Sequence, residues 1–160
     1  MNAKNLIFLV LLALSLGVSA FFAASETALV ALSRIDLQRL RETGDRKAGL
    51  IRNLKAHTSR LLATILIGQN LFTSAASSLA TALATAWVGE TYGVLAAIVF
   101  STLALFIFAE MTPKAIAAAS PIPISRAVAV PMDWTMRILG PIGSVLGKLS
   151  TRMLRTLGVP

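Results

Sequence analysis

The chain has 160 residues, 56% of them hydrophobic and 14% charged, with a formal net charge of +8 and no cysteine. A soluble domain carries roughly 25% charged residues, so a bilayer is the natural solvent for this composition. A disulfide framework and a thiolate metal site are excluded, and the single histidine excludes a multi-histidine metal centre.

Three apolar spans come first, at about Asn5–Ser33, Leu61–Val88 and Gly93–Ala119. Each exceeds the roughly 18–20 residues that cross a hydrocarbon core of about 30 Å. Backbone groups in lipid must be satisfied within their own segment, so the spans are expected to be helices, with tilt, kinks or extension into the headgroups. Val18-Ser19-Ala20 resembles a signal-peptide cleavage site. However, only Lys4 precedes it, and the apolar stretch runs well past a signal peptide's core.

Charge placement gives an orientation. Residues 34–60 hold Arg34, Arg39, Arg41, Arg46, Lys47, Arg52, Lys55 and Arg60 against Asp36, Glu42 and Asp45, whereas the turn at 89–92 carries only Glu90. The positive-inside rule then expects the 34–60 loop and the C-terminus in the cytoplasm, with the N-terminus and the 89–92 turn outside. Arg126, Arg137, Lys148, Arg152 and Arg155 agree with that. The basic excess thus reads as topology and headgroup contact rather than nucleic-acid binding. His57, in Lys55-Ala56-His57-Thr58-Ser59-Arg60, reads as interfacial, with Thr58 or Ser59 capping the second span.

After the third span, Pro121 and Pro123 are expected to end regular helix. Two helical stretches should follow, about 125–139 and 142–157, divided at Gly140-Pro141. In the second, Ile142, Leu146, Leu149, Met153 and Leu157 recur every three or four residues, with Lys148, Arg152 and Arg155 on another side. This is the pattern of a basic amphipathic helix lying in the membrane interface; packing on protein alone is the other reading. The expected division is therefore a three-helix transmembrane domain over 1–120 and juxtamembrane helices over 121–160. The stop just past a helix, at Leu157-Gly158-Val159-Pro160, is what a membrane domain cut from a following soluble domain would show.

Polar residues inside the spans are the functional candidates. A charged side chain at mid-membrane costs about 2.5–3.5 kcal/mol even on insertion scales. Glu110 lies deep in the third span, within Phe108-Ala109-Glu110-Met111-Thr112-Pro113-Lys114. Pro113 has no N–H, so the carbonyl of Ala109 loses its helical partner beside a carboxylate, which makes an oxygen site for a cation. A simple Glu110–Lys114 pair at the interface is the bland alternative. In the second span, Asn70, Ser74, Ser77 and Thr81 form a polar stripe close to Gly68. Small and hydroxylated residues also serve close helix packing, and Ser77 and Thr81 fit that use. The amide of Asn70 needs partners, and its carbonyl suits a hard cation. In the first span, Ser15, Ser19, Phe22 and Glu26 share one face, while Ser25 sits about 120° from Ser19 on a straight helix. Ser19 and Ser25 can ligate one ion only if the helix breaks between them.

Those stretches, SAFFAASETALVALSR, RLLATILIGQNLFTSAASSLAT and FAEMTPKAIAA, resemble in order the transmembrane (DUF21) domain of the CorC/CNNM family of magnesium transporters. The resemblance covers nearly the whole chain. It implies an all-α membrane protein of three transmembrane helices, with short re-entrant helices and a basic juxtamembrane belt helix, in a homodimer. It further implies Mg2+ export across the plasma membrane (in bacteria, the inner membrane), coupled to Na+ in at least some members. A following cytoplasmic pair of CBS domains that binds ATP is also implied. The ion site would draw on Ser19, Ser25, Asn70, Ser74 and Glu110, with Glu26, Gln69, Pro113 and Lys114 in gating or coupling. The chain departs from the pattern at Gln69, where relatives often carry a second asparagine, and at Ile124, where they often carry an acid.

The residues themselves support a carrier for a hard cation, since hydroxyl, amide, carbonyl and carboxylate oxygens suit magnesium, calcium or sodium. An anchor and dimerisation module acting through a cytoplasmic domain is the competing reading. A proton-coupled exporter of organic cations fits less well, because such cargo favours aromatic walls. Hydrolytic chemistry has no visible base and nucleophile arrangement, so no enzyme is expected.

Overall fold

The computed structural model describes residues 3–156. Its elements are α1 (Ala3–Ala31), α2 (Arg34–Glu42), α3 (Ala48–Ala56), α4 (Thr58–Val88), α5 (Glu90–Ala104), a π-helical segment (Leu105–Met111), α6 (Thr112–Ala119) and α7 (Pro121–Thr156). No strand occurs among the described residues. The fold is thus all-α, with three helices long and apolar enough to cross a membrane: Ala3–Ala31, Thr58–Val88 and Tyr92–Ala119. The third span is continuous from α5 through the π segment into α6.

The spans form because nothing interrupts them. Between Lys4 and Glu26 α1 carries no charge. Its buried positions Ser15, Ser19, Phe22, Ala23, Ser25, Ala28 and Leu29 recur at helical spacing. This side meets α4, the π segment, α6 and α7, so α1 is the hub of the bundle. Leu6, Val10, Leu14, Leu66, Val99 and Phe106 are exposed, as expected for faces whose solvent is hydrocarbon. The α4–α5 turn narrows to Gly89, at φ 94°, a conformation that L side chains avoid. Gly93 then lets α5 approach α4, since a Cβ there would lie 2.7 Å from Thr85 Cα.

The basic loop between the first two spans is a helical hairpin. Ser33 caps α2 reciprocally with Asp36, whose backbone N–H donates to Ser33 Oγ (3.1 Å) while the Ser33 N–H donates to Asp36 Oδ2 (3.1 Å). The Ser33 hydroxyl, then its N–H, hold the Asp36 carboxyl below its ordinary 3.8. Ala48, Ile51 and Leu54 of α3 are buried, in one cluster with Leu29, Leu32, Leu61, Met132 and Met136. Lys55 at the end of α3 reaches back to cap α1, its Nζ donating to the carbonyls of Leu29 (2.5 Å) and Leu32 (2.7 Å). Burial pushes the Lys55 ammonium below its ordinary pKa, yet it is the donor that these two helix-end carbonyls have. We expect Lys55→Met to destabilise the protein by about 1–3 kcal/mol, seen as a lower unfolding temperature in detergent, with Lys55→Arg recovering most of the loss. An unchanged melting curve for Lys55→Met would show that water serves those carbonyls equally well.

Three sequence expectations need correction. Helix α4 begins at Thr58, and His57 occupies the cap position without a side-chain cap bond; Thr58 Oγ1 donates backwards to the Lys55 carbonyl (2.6 Å). The break after the third span falls at Ser120, and Pro121 opens α7, where a missing N–H costs nothing. The expected division at Gly140-Pro141 is absent, because α7 runs on through Pro131 and Pro141. Each proline strips the partner from the carbonyl four residues earlier, Ala127 or Arg137. A neighbouring cation donates one residue before each: Lys47 Nζ to the Arg126 carbonyl (2.9 Å) and Arg60 Nη2 to that of Met136 (3.4 Å). Tertiary donors thus stand beside both weakened turns. Among the described residues of α7, Ser125, Val128, Ala129, Met132, Asp133 and Met136 are buried. Arg126 Nε pairs with Asp45 Oδ2 at 2.6 Å, tying α7 to the hairpin. Ile142 is exposed, whereas the side chains of Leu146, Lys148, Leu149, Arg152, Met153, Arg155 and Leu157 lie outside the described residues, as does that of Glu90.

Candidate cation site

One face of α1 carries Ser15, Ser19 and Glu26, the first two buried and Glu26 half-buried. Ser19, 1% exposed, shares a hydrogen bond with Thr73 of α4 at 3.0 Å between hydroxyl oxygens. Seven residues on, and so about 10 Å along the same face, Glu26 meets the third span. Lys114 Nζ lies 3.5 Å from Glu26 Oε2 and 3.3 Å from Glu110 Oε1. One ammonium thus joins two carboxylates on two different spans. The Glu110–Lys114 pair expected as the bland alternative exists, but it is half of a bridge that reaches α1.

The π segment makes that bridge. Thr112 N–H donates to the Ile107 carbonyl, five residues earlier. A five-residue register widens the helix just before Pro113 and is a frequent feature of functional sites. It also shifts which carbonyl stands opposite the proline's missing N–H, so the four-residue count that singled out Ala109 does not decide it. Pro113 itself lies in the first turn of α6, where a proline is tolerated.

Aromatic packing fixes the α1–α4 seam at this level. Phe22 sits on Gly68: a Cβ built at Gly68 would lie 2.2 Å from Phe22 Cζ. The Phe22 ring is stacked near Phe72 (6.4 Å between centroids) and edge-on to Phe21 (5.3 Å). Gly68 therefore points at α1. Asn70, two residues later, turns roughly 200° away from it and is exposed, as is Ser74; Gln69 is half-buried. The hydroxyl of α4 that does reach α1 is that of Thr73, about 60° from Asn70 around the helix.

The candidate residues thus fall into groups. Ser19 is brought to Thr73, and Glu26, Glu110 and Lys114 are brought together. Asn70 and Ser74 stay on the open side of α4, beside the Ser19–Thr73 contact. Helix α1 is unbroken from Ser19 to Ser25. The Ser25 hydroxyl donates to the Phe21 carbonyl of its own helix at 2.7 Å, so Ser19 and Ser25 do not converge. Sequence reasoning did not single out Thr73 or the π turn. A lone threonine in a Ser/Thr-rich helix gives no signal, and the π turn could have been sought only in the polar cluster before Pro113. Among the described residues no three Asp, Glu or His side chains form a metal cluster. A cation here would be held by few carboxylates and several neutral oxygens.

Comparison with known proteins finds relatives among membrane domains. Residues 8–160 match the family model described as the cyclin M transmembrane N-terminal domain. The chain belongs to this family. It is 38% identical over 149 residues to a chloroplastic DUF21 domain-containing protein of Arabidopsis thaliana, covering 93% of this chain and 22% of that protein. It is 31% identical over 146 residues to the UPF0053 inner membrane protein YfjD of Escherichia coli strain K12, covering 89% and 33% respectively. A UPF0053 protein of Haemophilus influenzae is 35% identical over 109 residues, covering 68% and 26%. The chain therefore spans a third or less of these relatives, and it is their membrane domain that it matches. As a member of the cyclin M transmembrane family, with three spanning helices, it is a membrane protein of a kind consistent with transport.

Proposed function

We propose that this domain is a carrier that exports Mg2+ across the plasma membrane, coupled to Na+ entry, with Mg2+ as the substrate ion. One observation carries the reading: a half-buried hydroxyl pair and a carboxylate–ammonium–carboxylate bridge meet α1 on one face, about 10 Å apart along it. Magnesium favours six oxygens at about 2.0–2.1 Å and loses water reluctantly. Neutral oxygens of Ser19, Thr73, Asn70 and Ser74 can receive a partly hydrated ion, and Glu110 and Glu26 supply the charge. Gln69 and Pro113 adjust the mouth and the hinge.

An amide facing hydrocarbon without partners is costly. The open side of α4 at Asn70 is therefore covered by the ion, by its water or by a second copy, and the working form is a homodimer. The N-terminus lies outside and the C-terminus in the cytoplasm, where a CBS pair that binds ATP follows in the whole protein. The domain carries no enzymatic activity. In flux assays on Mg2+-loaded cells or vesicles, Glu110→Ala and Asn70→Ala should each lower efflux by at least about tenfold, roughly 1.4 kcal/mol of lost interaction. Undiminished flux in both variants rejects the carrier and favours the anchor reading.

A further inference from the structure

The hairpin of α2 and α3 holds a cavity of ≈ 490 Å³ lined by Arg34, Leu37, Gln38, Arg41, Glu42 and Arg52. Arg34, Gln38 and Arg41 fall at i, i+4 and i+7 on one face of α2, and Arg52 closes the cavity from α3. None of these three arginines forms an ion pair among the described residues. The acids nearby are otherwise engaged: Asp36 closes the cap of α2, and Glu42 Oε1 accepts from Gln38 Nε2 at 3.0 Å. Three guanidinium groups against one carboxylate leave the cavity two charges positive. Guanidinium forks match phosphate oxygens in pairs.

The surroundings say where the phosphate comes from. The cavity stands at the foot of α1, and the exposed apolar side chains Val30 and Ile35 flank the α1–α2 corner. Phosphate chemistry next to exposed aliphatic surface is the chemistry of a phospholipid, and in the orientation proposed above, on which this step rests, the basic loop faces the anionic cytoplasmic leaflet. We propose that this cavity binds the phosphate of an anionic phospholipid headgroup through Arg34, Arg41 and Arg52, with Val30 and Ile35 against its acyl chains. A bound headgroup would hold the hairpin, and through the Lys55 cap the end of α1, at a fixed depth in the membrane.

The test uses the whole chain in nanodiscs and in detergent with added phosphatidylglycerol or phosphatidylcholine, read by thermal unfolding and by native mass spectrometry. Phosphatidylglycerol should bind and stabilise, and phosphatidylcholine should not. Arg41→Gln/Arg52→Gln should weaken phosphatidylglycerol binding by about tenfold per arginine. Arg39→Gln, which removes one charge from the same helix outside the cavity, should leave it unchanged. Arg41→Lys/Arg52→Lys keeps the charge, guards against a folding defect and should give an intermediate affinity. Equal losses in Arg39→Gln and the double variant, or no preference between the two lipids, overturn the proposal. Displacement of the lipid by millimolar glycerol phosphate or inorganic phosphate overturns the lipid assignment and makes the ligand a free phosphate.

Discussion

Gly68→Ala is expected to destabilise the protein by about 3 kcal/mol or more, the upper range for forcing atoms into a packed core. A Cβ at this position would stand 2.2, 2.5 and 2.7 Å from three atoms of the Phe22 ring. The ring cannot simply swing aside, because it is 3% exposed and lies between Phe21 and Phe72. Either α1 and α4 separate, undoing the Ser19–Thr73 contact, or the aromatic cluster repacks. Gly17→Ala is the control, since nothing lies within 4 Å of a Cβ there; it should be neutral or slightly stabilising as a helix former. Phe22→Ala combined with Gly68→Ala should cost less than the sum of the single changes, because the two residues share one space. Unfolding temperatures in detergent for these variants decide it, and strict additivity would mean that the contact is not what holds the seam.

Lys114→Met should tighten binding of a divalent cation while slowing its transport. Lys114 Nζ is 3.5 Å from Glu26 and 3.3 Å from Glu110, and so stands as a tethered cation between the two carboxylates. Under the carrier reading, an entering ion competes with this ammonium. Removing it should raise Mg2+ affinity by about tenfold, a change of roughly 1.4 kcal/mol, measured calorimetrically on the purified protein. Release should slow accordingly, because nothing remains to displace the ion, and flux should fall. Glu110→Gln in the same background should reverse the gain. Weaker Mg2+ binding in Lys114→Met would show that the lysine organises the site rather than competing for it.

The membrane character of the chain was legible in the primary structure because it rests on composition and length. Long stretches without charge, ended by clusters of arginine and lysine, admit helices that cross a bilayer and little else. All three spans end within about three residues of the boundaries that hydropathy alone indicates, an ordinary margin for helix ends. The polar residues worth attention were legible for a related reason: in an apolar segment each one is costly and stands out. Proline was misread near the end of the chain, since Gly140-Pro141 read as a break until the donor from Arg60 is seen beside it.

The order of the residues thus settled which segments enter the lipid and which side chains there invite a role. Whether those side chains meet was left to packing. A glycine under a phenyl ring let α4 approach α1 closely, and across that seam Thr73, not Asn70, met Ser19. A five-residue turn before Pro113 brought Glu110 and Lys114 against Glu26. Spacing along a helix gives angles around its own axis, but the azimuth at which two helices face each other depends on close contacts between residues distant in the chain.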